Sequence, residues 1–349
     1  MAKQTEEGKA FEYACVNAFY EKYHSTQEVV IEESPQFYTA KNFFEAAPEE
    51  KRANYMYAAN AAVNVIEALE PQLTQGNSDT PLVLGLQTDA QGIAGDVRDV
   101  LCIRKKSNWQ IGLSCKHNHH AVKHSRLSAT IDFGKDWFDK CCSQEYFDRV
   151  SPLFSELREI RDRSKAEGNP AQWDNIEDKF ERYYVPILQA FMDELRRLSE
   201  LYPEEIPELL IRYLIGRYDF YKVITNDARR TTTIQAVNLS GTLNKPAKKI
   251  KAIVNVPKAK MPKRFVHIGF KPGSQTTMEI FCDEAWIISM RLHNASSKVE
   301  PSLKFDVQLE AIPNSIHSQV APWDYEYVRY TGDAGMVKVA DDDKEPEIE

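Results

Sequence analysis

Two short apolar or alternating runs, joined by a polar turn, constrain this chain most strongly. The runs are residues 99–104 and 109–116, and the turn is Lys105-Lys106-Ser107-Asn108. Runs of this length and pattern on either side of a polar turn predict an antiparallel hairpin. Because side chains alternate along a strand, Ser114 and Lys116 share one face of it, while Cys115 points to the other.

An aspartate opens this hairpin and a lysine closes it. Antiparallel pairing can bring Asp99 opposite Lys116. Hydrolysis of a phosphodiester needs a divalent cation, which a carboxylate can bind, and a base or cation at the attacking oxygen. The pair could supply both, or it could be an ordinary cross-strand ion pair.

Helical patterns dominate the first 200 residues. Apolar residues recur at intervals of three and four over residues 6–23, which predicts an amphipathic helix. A second helix is expected over residues 48–69, because proline and then acids suit its first turn. Further helices are expected over residues 136–146 and 173–199, and Pro186 should kink or split the last one.

Strands are expected elsewhere, and they dominate after residue 215. They are residues 82–84, 220–225, 231–239, 265–270, 276–281, 286–292 and 303–309. We therefore predict an α/β (α+β) fold, with a small mixed sheet flanked by helices and a strand-rich C-terminal half. We place an approximate boundary between the two parts of the chain near residue 200.

The charge of the chain is unevenly distributed. Its 44 basic and 52 acidic side chains give a net charge of −8, which argues against a nucleic-acid partner. However, the last nine residues hold six carboxylates and are expected to form a disordered tail, whereas residues 245–264 hold eight basic residues and no acidic one. A local basic surface is what phosphate binding requires.

The composition also bears on the compartment. No run approaches 18 apolar residues and the N-terminus is polar and acidic, so we expect neither a membrane span nor a secretory signal. The six cysteines include no Cys-x-x-Cys pair, and they are expected to be reduced thiols of a cytosolic protein.

Residues 117–128 concentrate four of the eight histidines. One interpretation is a zinc site that uses His119 or His120 with His124, although the chain has no nearby cysteine pair and no His-Glu-x-x-His motif. The other is a loop that contacts phosphates and bases directly after a catalytic lysine, and we favour it. Its candidate DNA-binding residues are Asn118, His119, Lys123, His124, Ser125 and Arg126.

A hairpin that opens with an acid and ends in lysine resembles the core of the PD-(D/E)XK nucleases. Six segments are moreover similar to the HaeIII family of type II restriction endonucleases. They are GKAFEYA (residues 8–14), GDVRDVL (95–101), SCKHNH (114–119), AVKHSRLS (121–128), RLHNASS (291–297) and SLKFDVQL (302–309). The resemblance therefore covers both ends and the middle of the chain.

This resemblance implies a bacterial cytoplasmic enzyme that cleaves double-stranded DNA at a short palindrome, expected to be GGCC, with Mg²⁺. On that basis Asp99 binds the metal and Lys116 orients or deprotonates the attacking water. A palindromic target favours a homodimer. The resemblance also implies a cognate DNA methyltransferase that acts on the same site.

The chain departs from the nuclease pattern at Ser114, where an acid is usual. Its hydroxyl could hold a metal-bound water, and the Cys115 carbonyl could bind the metal. A second carboxylate is expected from elsewhere. Glu12 on the first helix is the first choice and Asp96 the second, although Glu12 could be a solvated acid and Asp96 a turn-capping residue.

Base recognition is assigned to the strand-rich half. Arg or Lys reads guanine in the major groove, and Asp or Glu reads cytosine. The exposed polar candidates are Arg229, Arg230, Lys271, Arg291, His293, Asn294, Ser296 and Ser297. Residues 1–200 are thus expected to form the nuclease core with a helical segment, 201–340 the DNA-recognition region, and 341–349 the acidic tail. The alternatives are a non-hydrolytic nucleic-acid-binding protein and a zinc-stabilised protein.

Overall fold

The computed structural model describes residues 3–74, 80–88, 96–117, 125–247, 251–323, 327–330 and 336–339. The α-helices in these ranges are α1 (Lys3–Tyr23), α2 (Pro35–Ala46), α3 (Glu49–Leu69), α4 (Phe133–Phe138), α5 (Gln144–Ala166), α6 (Val185–Leu201) and α7 (Glu205–Ile215). The strands are β1 (Val29–Ile31), β2 (Leu82–Leu86), β3 (Val100–Arg104), β4 (Trp109–His117), β5 (Arg126–Ser128), β6 (Phe220–Asn226), β7 (Thr231–Val237), β8 (Phe265–Phe270), β9 (Thr277–Cys282), β10 (Ile287–His293), β11 (Ser302–Ala311), β12 (His317–Pro322), β13 (Tyr327–Tyr330) and β14 (Met336–Val339).

The first of two compact units comprises residues 1–119, 218–259 and 315–349. Its main sheet has the strand order β1-β2-β3-β4-β6-β7-β12 in the described residues. The β1–β2 and β4–β6 pairs are parallel and the other pairs are antiparallel. Helices α1 and α3 bury their apolar side chains in the same core as alternate residues of β3, β4 and β6. One face of the central strands is therefore apolar and covered.

The predicted hairpin is present as β3 and β4. Val100 pairs with Leu113 and Arg104 with Trp109. A short 3₁₀ turn and Asn108, in the left-handed conformation at φ +49°, connect the strands. Asparagine tolerates this conformation better than most residues, so the local sequence suits the turn.

The second unit comprises residues 120–217 and 260–314. Its sheet is antiparallel, with the order β5-β11-β10-β9-β8. Aromatic side chains dominate the core: Phe133 of α4 contacts Phe191 of α6 with ring centroids 4.5 Å apart, and Phe191 contacts Phe305 of β11 at 5.0 Å.

The predicted fold class is confirmed, with helices, a mixed sheet and a strand-rich C-terminal half, although the mixed sheet is larger than expected. The helix expected over residues 136–146 is instead split, because Asp139 adopts a left-handed conformation and Ser143 caps the start of α5. The helix expected over residues 173–199 is also divided. A π-helical turn, Phe180–Tyr184, runs directly into α6, and Pro186 lies in the first turn of α6. None of the described helices has the length and apolar character needed to cross a bilayer.

Candidate active site

Asp99 and Lys116 are in contact at the end of the hairpin. One carboxylate oxygen of Asp99, Oδ2, accepts hydrogen bonds from the backbone N–H of Cys115 at 2.7 Å and from Lys116 Nζ at 3.3 Å. The register pairs Val100 with Leu113, so Asp99 and Lys116 meet diagonally and not directly opposite each other. The hairpin thus brings the two residues together as the sequence pattern predicted.

The neighbouring carboxylates keep Lys116 positively charged. Burial acts to lower the pKa of its ammonium group, but the charges of Asp99 and other groups outweigh it, and the pKa lies above its usual value. Lys116 is therefore an ammonium group at neutral pH, suited to donating hydrogen bonds and stabilising negative charge.

Glu12 of α1 is electrostatically coupled to the same pair. Its side chain is only 8% exposed. Burial and the negative charge of Asp99 raise its pKa to about 7, although Lys9, at 3.2 Å, and Lys116 oppose the shift. Two carboxylates that interact unfavourably in this way are stabilised by a cation between them.

Ser114 and Cys115 lie on opposite faces of β4. Ser114 is buried on the face that carries Lys116. Cys115 belongs to the apolar core, where its thiol lies 3.7 Å from that of Cys15 on α1. The backbone of Cys115 faces Asp99 through its N–H group.

Asp96 is engaged by Arg98. Its carboxylate accepts two hydrogen bonds from the guanidinium, at 2.8 and 2.7 Å, and both side chains are 6% exposed. The backbone N–H of Arg98 also donates to Asp96 Oδ1 at 3.2 Å, which is an Asx turn. A Cβ at Gly112 would lie 2.2 Å from Arg98 Cδ. The absence of a side chain at Gly112 therefore leaves room for Arg98 to lie across β4.

The partners of His117 were not predicted from the sequence. Its Nε2 lies 3.0 Å from Asp227 in the β6–β7 turn, and its Nδ1 lies 3.6 Å from Glu7 of α1. Its ring also meets the edge of the Tyr55 ring at 5.2 Å. These contacts anchor the end of β4 to α1, α3 and β6.

Lys222 of β6 was also missed. It is 7% exposed and pairs with Ser114 in the parallel β4–β6 ladder. A lysine in the middle of the apolar run FYKVIT was the available signal, since lysine is seldom buried without a specific role.

The donor set around Asp99 fits Mg²⁺. Among the described residues, no group of three or more His, Cys, Asp or Glu side chains is arranged to hold a metal ion. Mg²⁺ is commonly bound by one or two carboxylates and otherwise by water and substrate phosphate, so Asp99 and Glu12 suffice.

The histidine-rich segment, residues 117–128, is only partly described. Asn118, His119, Lys123 and His124, and with them the zinc candidate His120, lie outside the described residues. Of the remaining candidates, Ser125 is buried and its hydroxyl lies 3.0 Å from the Tyr213 hydroxyl. Arg126 is exposed at the start of β5.

The two arginines of the β6–β7 turn have different surroundings. The side chain of Arg229 is exposed. The guanidinium of Arg230 lies over the rings of Tyr57 and Trp323, at 5.4 and 5.3 Å, and donates to Asn54 at 3.3 Å. Arg229 is thus available to phosphate, while Arg230 packs against the protein.

The other recognition candidates belong to the second unit. Lys271 pairs with Glu310 at 3.1 Å, and Arg291 pairs with Asp306 at 3.3 Å across β10 and β11. His293 follows Arg291 on β10, and its Nδ1 lies 2.7 Å from the carbonyl of Asn294. The candidates Asn294, Ser296 and Ser297 follow β10 in a loop, where the N–H of Asn294 donates to Tyr184 and the hydroxyl of Ser296 donates to the Lys298 carbonyl.

Comparisons with known proteins identify the family of this chain. A family model described as HaeIII restriction endonuclease matches residues 8–313. The type II restriction enzyme HaeIII of Haemophilus aegyptius is 40% identical over 322 residues, which cover 92% of this chain and 99% of that enzyme. No solved structure matches the chain. The chain therefore belongs to the HaeIII family of type II restriction endonucleases, which are site-specific deoxyribonucleases that act on double-stranded DNA.

Proposed function

We propose that this enzyme hydrolyses double-stranded DNA at GGCC with Mg²⁺, and that Asp99, Glu12 and Lys116 form its catalytic centre within a PD-(D/E)XK-type core. The observation that carries the proposal is the contact of Asp99 with both Lys116 and the backbone of β4. The GGCC specificity rests on membership of the family, together with the resemblance of the segments quoted above.

Asp99 and Glu12 would hold the metal, and the carbonyl of Cys115 and the hydroxyl of Ser114 would complete the site directly or through water. Bound there, Mg²⁺ would supply a positive charge that lowers the pKa of water and neutralises charge on the phosphate. The N–H of Cys115 fixes the orientation of the Asp99 carboxylate. Asp96 remains a second choice, because Arg98 already neutralises its charge.

Lys116 is proposed to orient the attacking water by hydrogen bonding and to stabilise the negative charge that develops on the phosphate. Its raised pKa favours this role over deprotonation of the water, because an ammonium group has no lone pair. In the reaction the water oxygen bonds to phosphorus, one phosphorus–oxygen ester bond breaks, the water loses a proton to solvent and the leaving oxygen gains one.

DNA contacts are proposed for residues 118–126 and for the exposed Arg229. The assignment of recognition to residues 201–340 stays a prediction, and strands β6, β7 and β12 from that range also complete the sheet that carries Asp99 and Lys116. We further propose a homodimer in the bacterial cytoplasm, paired with a methyltransferase that protects the same palindrome.

The test is incubation of the purified protein with a mapped plasmid, in Mg²⁺ or in EDTA. Discrete Mg²⁺-dependent fragments with ends at GGCC are the expected result. Fragments with other ends would refute the specificity alone. Intact DNA of retarded mobility under both conditions would instead indicate a non-hydrolytic DNA-binding protein.

A further inference from the structure

Lys222 places a second ammonium group beside the proposed catalytic centre. Its side chain is 7% exposed, and its neighbours in sequence, Tyr221 and Val223, are fully buried in the apolar core. Burial of a lysine is costly, and nothing in the hydrophobic packing of the sheet requires one.

The strand register puts Lys222 on the catalytic face. β4 and β6 are parallel, with Ser114 beside Lys222 and Lys116 beside Ile224. Residues that pair across adjacent strands point to the same side of a sheet, and so do residues two apart on one strand. Lys222, Ser114 and Lys116 therefore share one face. The opposite face of both strands carries core residues such as Leu113 and Val223.

The order of strands places unlike charges on the two sides of Lys116. β4 lies between β3 and β6, so Asp99 approaches Lys116 from the β3 side while Lys222 stands on the β6 side. Burial first, and then the positive charge of Lys116, lower the pKa of Lys222 to about 8. Two positive charges on one face of neighbouring strands favour the binding of an anion beside them.

We propose that Lys222 is a further catalytic residue of this site and that its ammonium group donates a hydrogen bond to a non-bridging oxygen of the scissile phosphate. The inference rests on the proposed function. On the β3 side of Lys116, the Asp99 carboxylate would face the metal. On the β6 side, the Lys222 ammonium group would face the phosphate. Lys222 keeps its proton throughout and stabilises the charge that the phosphate gains as water adds.

The experiment compares Lys222→Met and Lys222→Arg with the wild-type enzyme. The substrate is a short duplex that carries the site the wild type cleaves, and the enzyme is in saturating excess, so that the single-turnover rate reports on chemistry alone. Binding of the same duplex is measured with Ca²⁺ in place of Mg²⁺. One of the two exposed lysines of the hairpin turn provides the matched control, Lys106→Met.

The expected result is a loss of about a hundredfold or more in the single-turnover rate of Lys222→Met, because one charged donor to the transition state is removed. Lys222→Arg should keep at least a tenth of the rate, and affinity for the duplex should change by no more than about threefold. Lys106→Met should cleave like the wild type.

A Lys222→Met enzyme that cleaves at the wild-type rate would overturn the proposal. If that variant does not fold, Lys222→Gln is the second test, and failure of both to fold would show that the lysine is structural. Absence of cleavage by the wild type itself would refute the proposed function instead, so the two failures can be told apart.

Discussion

A single oxygen of Asp99 binds both Lys116 and the strand that carries it. Asp99 Oδ2 accepts from Lys116 Nζ at 3.3 Å and from the N–H of the preceding residue at 2.7 Å. The carboxylate therefore sets the position of the lysine as well as its charge. Function and local geometry depend on the same atom.

Neutral variants of this pair should separate catalysis from folding. Asp99→Asn and Lys116→Met are expected to lower plasmid cleavage by about a thousandfold or more, because they remove a metal ligand and a charged donor. Melting temperatures and gel-shift affinity should stay close to those of the wild type. Loss of the folded state in both variants would show that the pair is a structural ion pair.

Glu12→Gln should abolish cleavage and yet stabilise the metal-free protein. The pKa of Glu12 is raised to about 7 in the folded state, so its stabilising contribution is present at low pH and is lost as the pH rises from its usual value of 4.5 through 7. At neutral pH, burial of the ionised Glu12 therefore lowers the free energy of unfolding. Glutamine cannot ionise and removes this loss of stability, which is at most about 3 kcal/mol.

Urea unfolding of wild type and Glu12→Gln at several pH values measures the difference. It should be small in acid and largest above about pH 7. Part of the pH dependence should persist in the variant, because burial also raises the pKa of Glu70 to about 7. An equal difference at every pH would contradict the assignment to Glu12.

The Mg²⁺ requirement should depend on pH for the same reason. A metal binds the deprotonated carboxylate, so the Mg²⁺ concentration for half-maximal cleavage should fall as the pH rises from about 6 to about 8. Titration of cleavage rate with Mg²⁺ at each pH provides the measurement. A requirement that does not change over this range would exclude Glu12 as a ligand.

Gly112→Ala should destabilise the protein. The added Cβ would meet Arg98 and displace it from Asp96, a loss of roughly 2–4 kcal/mol for a disrupted buried ion pair. The matched control is Gly8→Ala on α1, where a Cβ meets nothing within 4 Å and alanine should stabilise the helix by about 0.5–1 kcal/mol. Chemical denaturation distinguishes the two, and equal effects would refute the role of Gly112.

Arg229→Ala and Arg230→Ala should have different effects. Loss of a phosphate contact by Arg229 should weaken DNA binding without changing stability. The slope of the logarithm of the binding constant against the logarithm of the salt concentration should become shallower by about one. Loss of Arg230 should cost about 1–2 kcal/mol of stability, since it packs on Tyr57 and Trp323. Salt-dependent binding curves and thermal melts test both statements.

Local patterns predicted the hairpin and the flanking helices well. The start of α3 follows from Pro48 and the acids after it, and β3 and β4 follow from the alternation around a polar turn. Helix α2 was not predicted, although Ser34 caps it and Pro35 occupies its first turn. Its start signal lies in these two residues alone.

Non-local pairing explains what the sequence could not reveal. The contact of Asp99 with Lys116 lies within one hairpin, and its periodicity was sufficient to predict it. Lys222 and Asp227 reach the site only because β6 pairs with β4 in parallel, and no local pattern encodes that pairing. The coupling of Glu12 likewise depends on how α1 packs under the sheet.

The separation of β4 from β6 by residues 120–217 of the second unit also affects how the enzyme is made. During synthesis β4 leaves the ribosome long before β6, and until β6 arrives it has an unpaired edge. Joining the two strands closes a long loop, which is entropically costly and slow. A nascent or truncated chain that ends before β6 thus has Asp99 and Lys116 but lacks the strand beside them, so this pair gains its neighbouring strand only after residue 226 has been made.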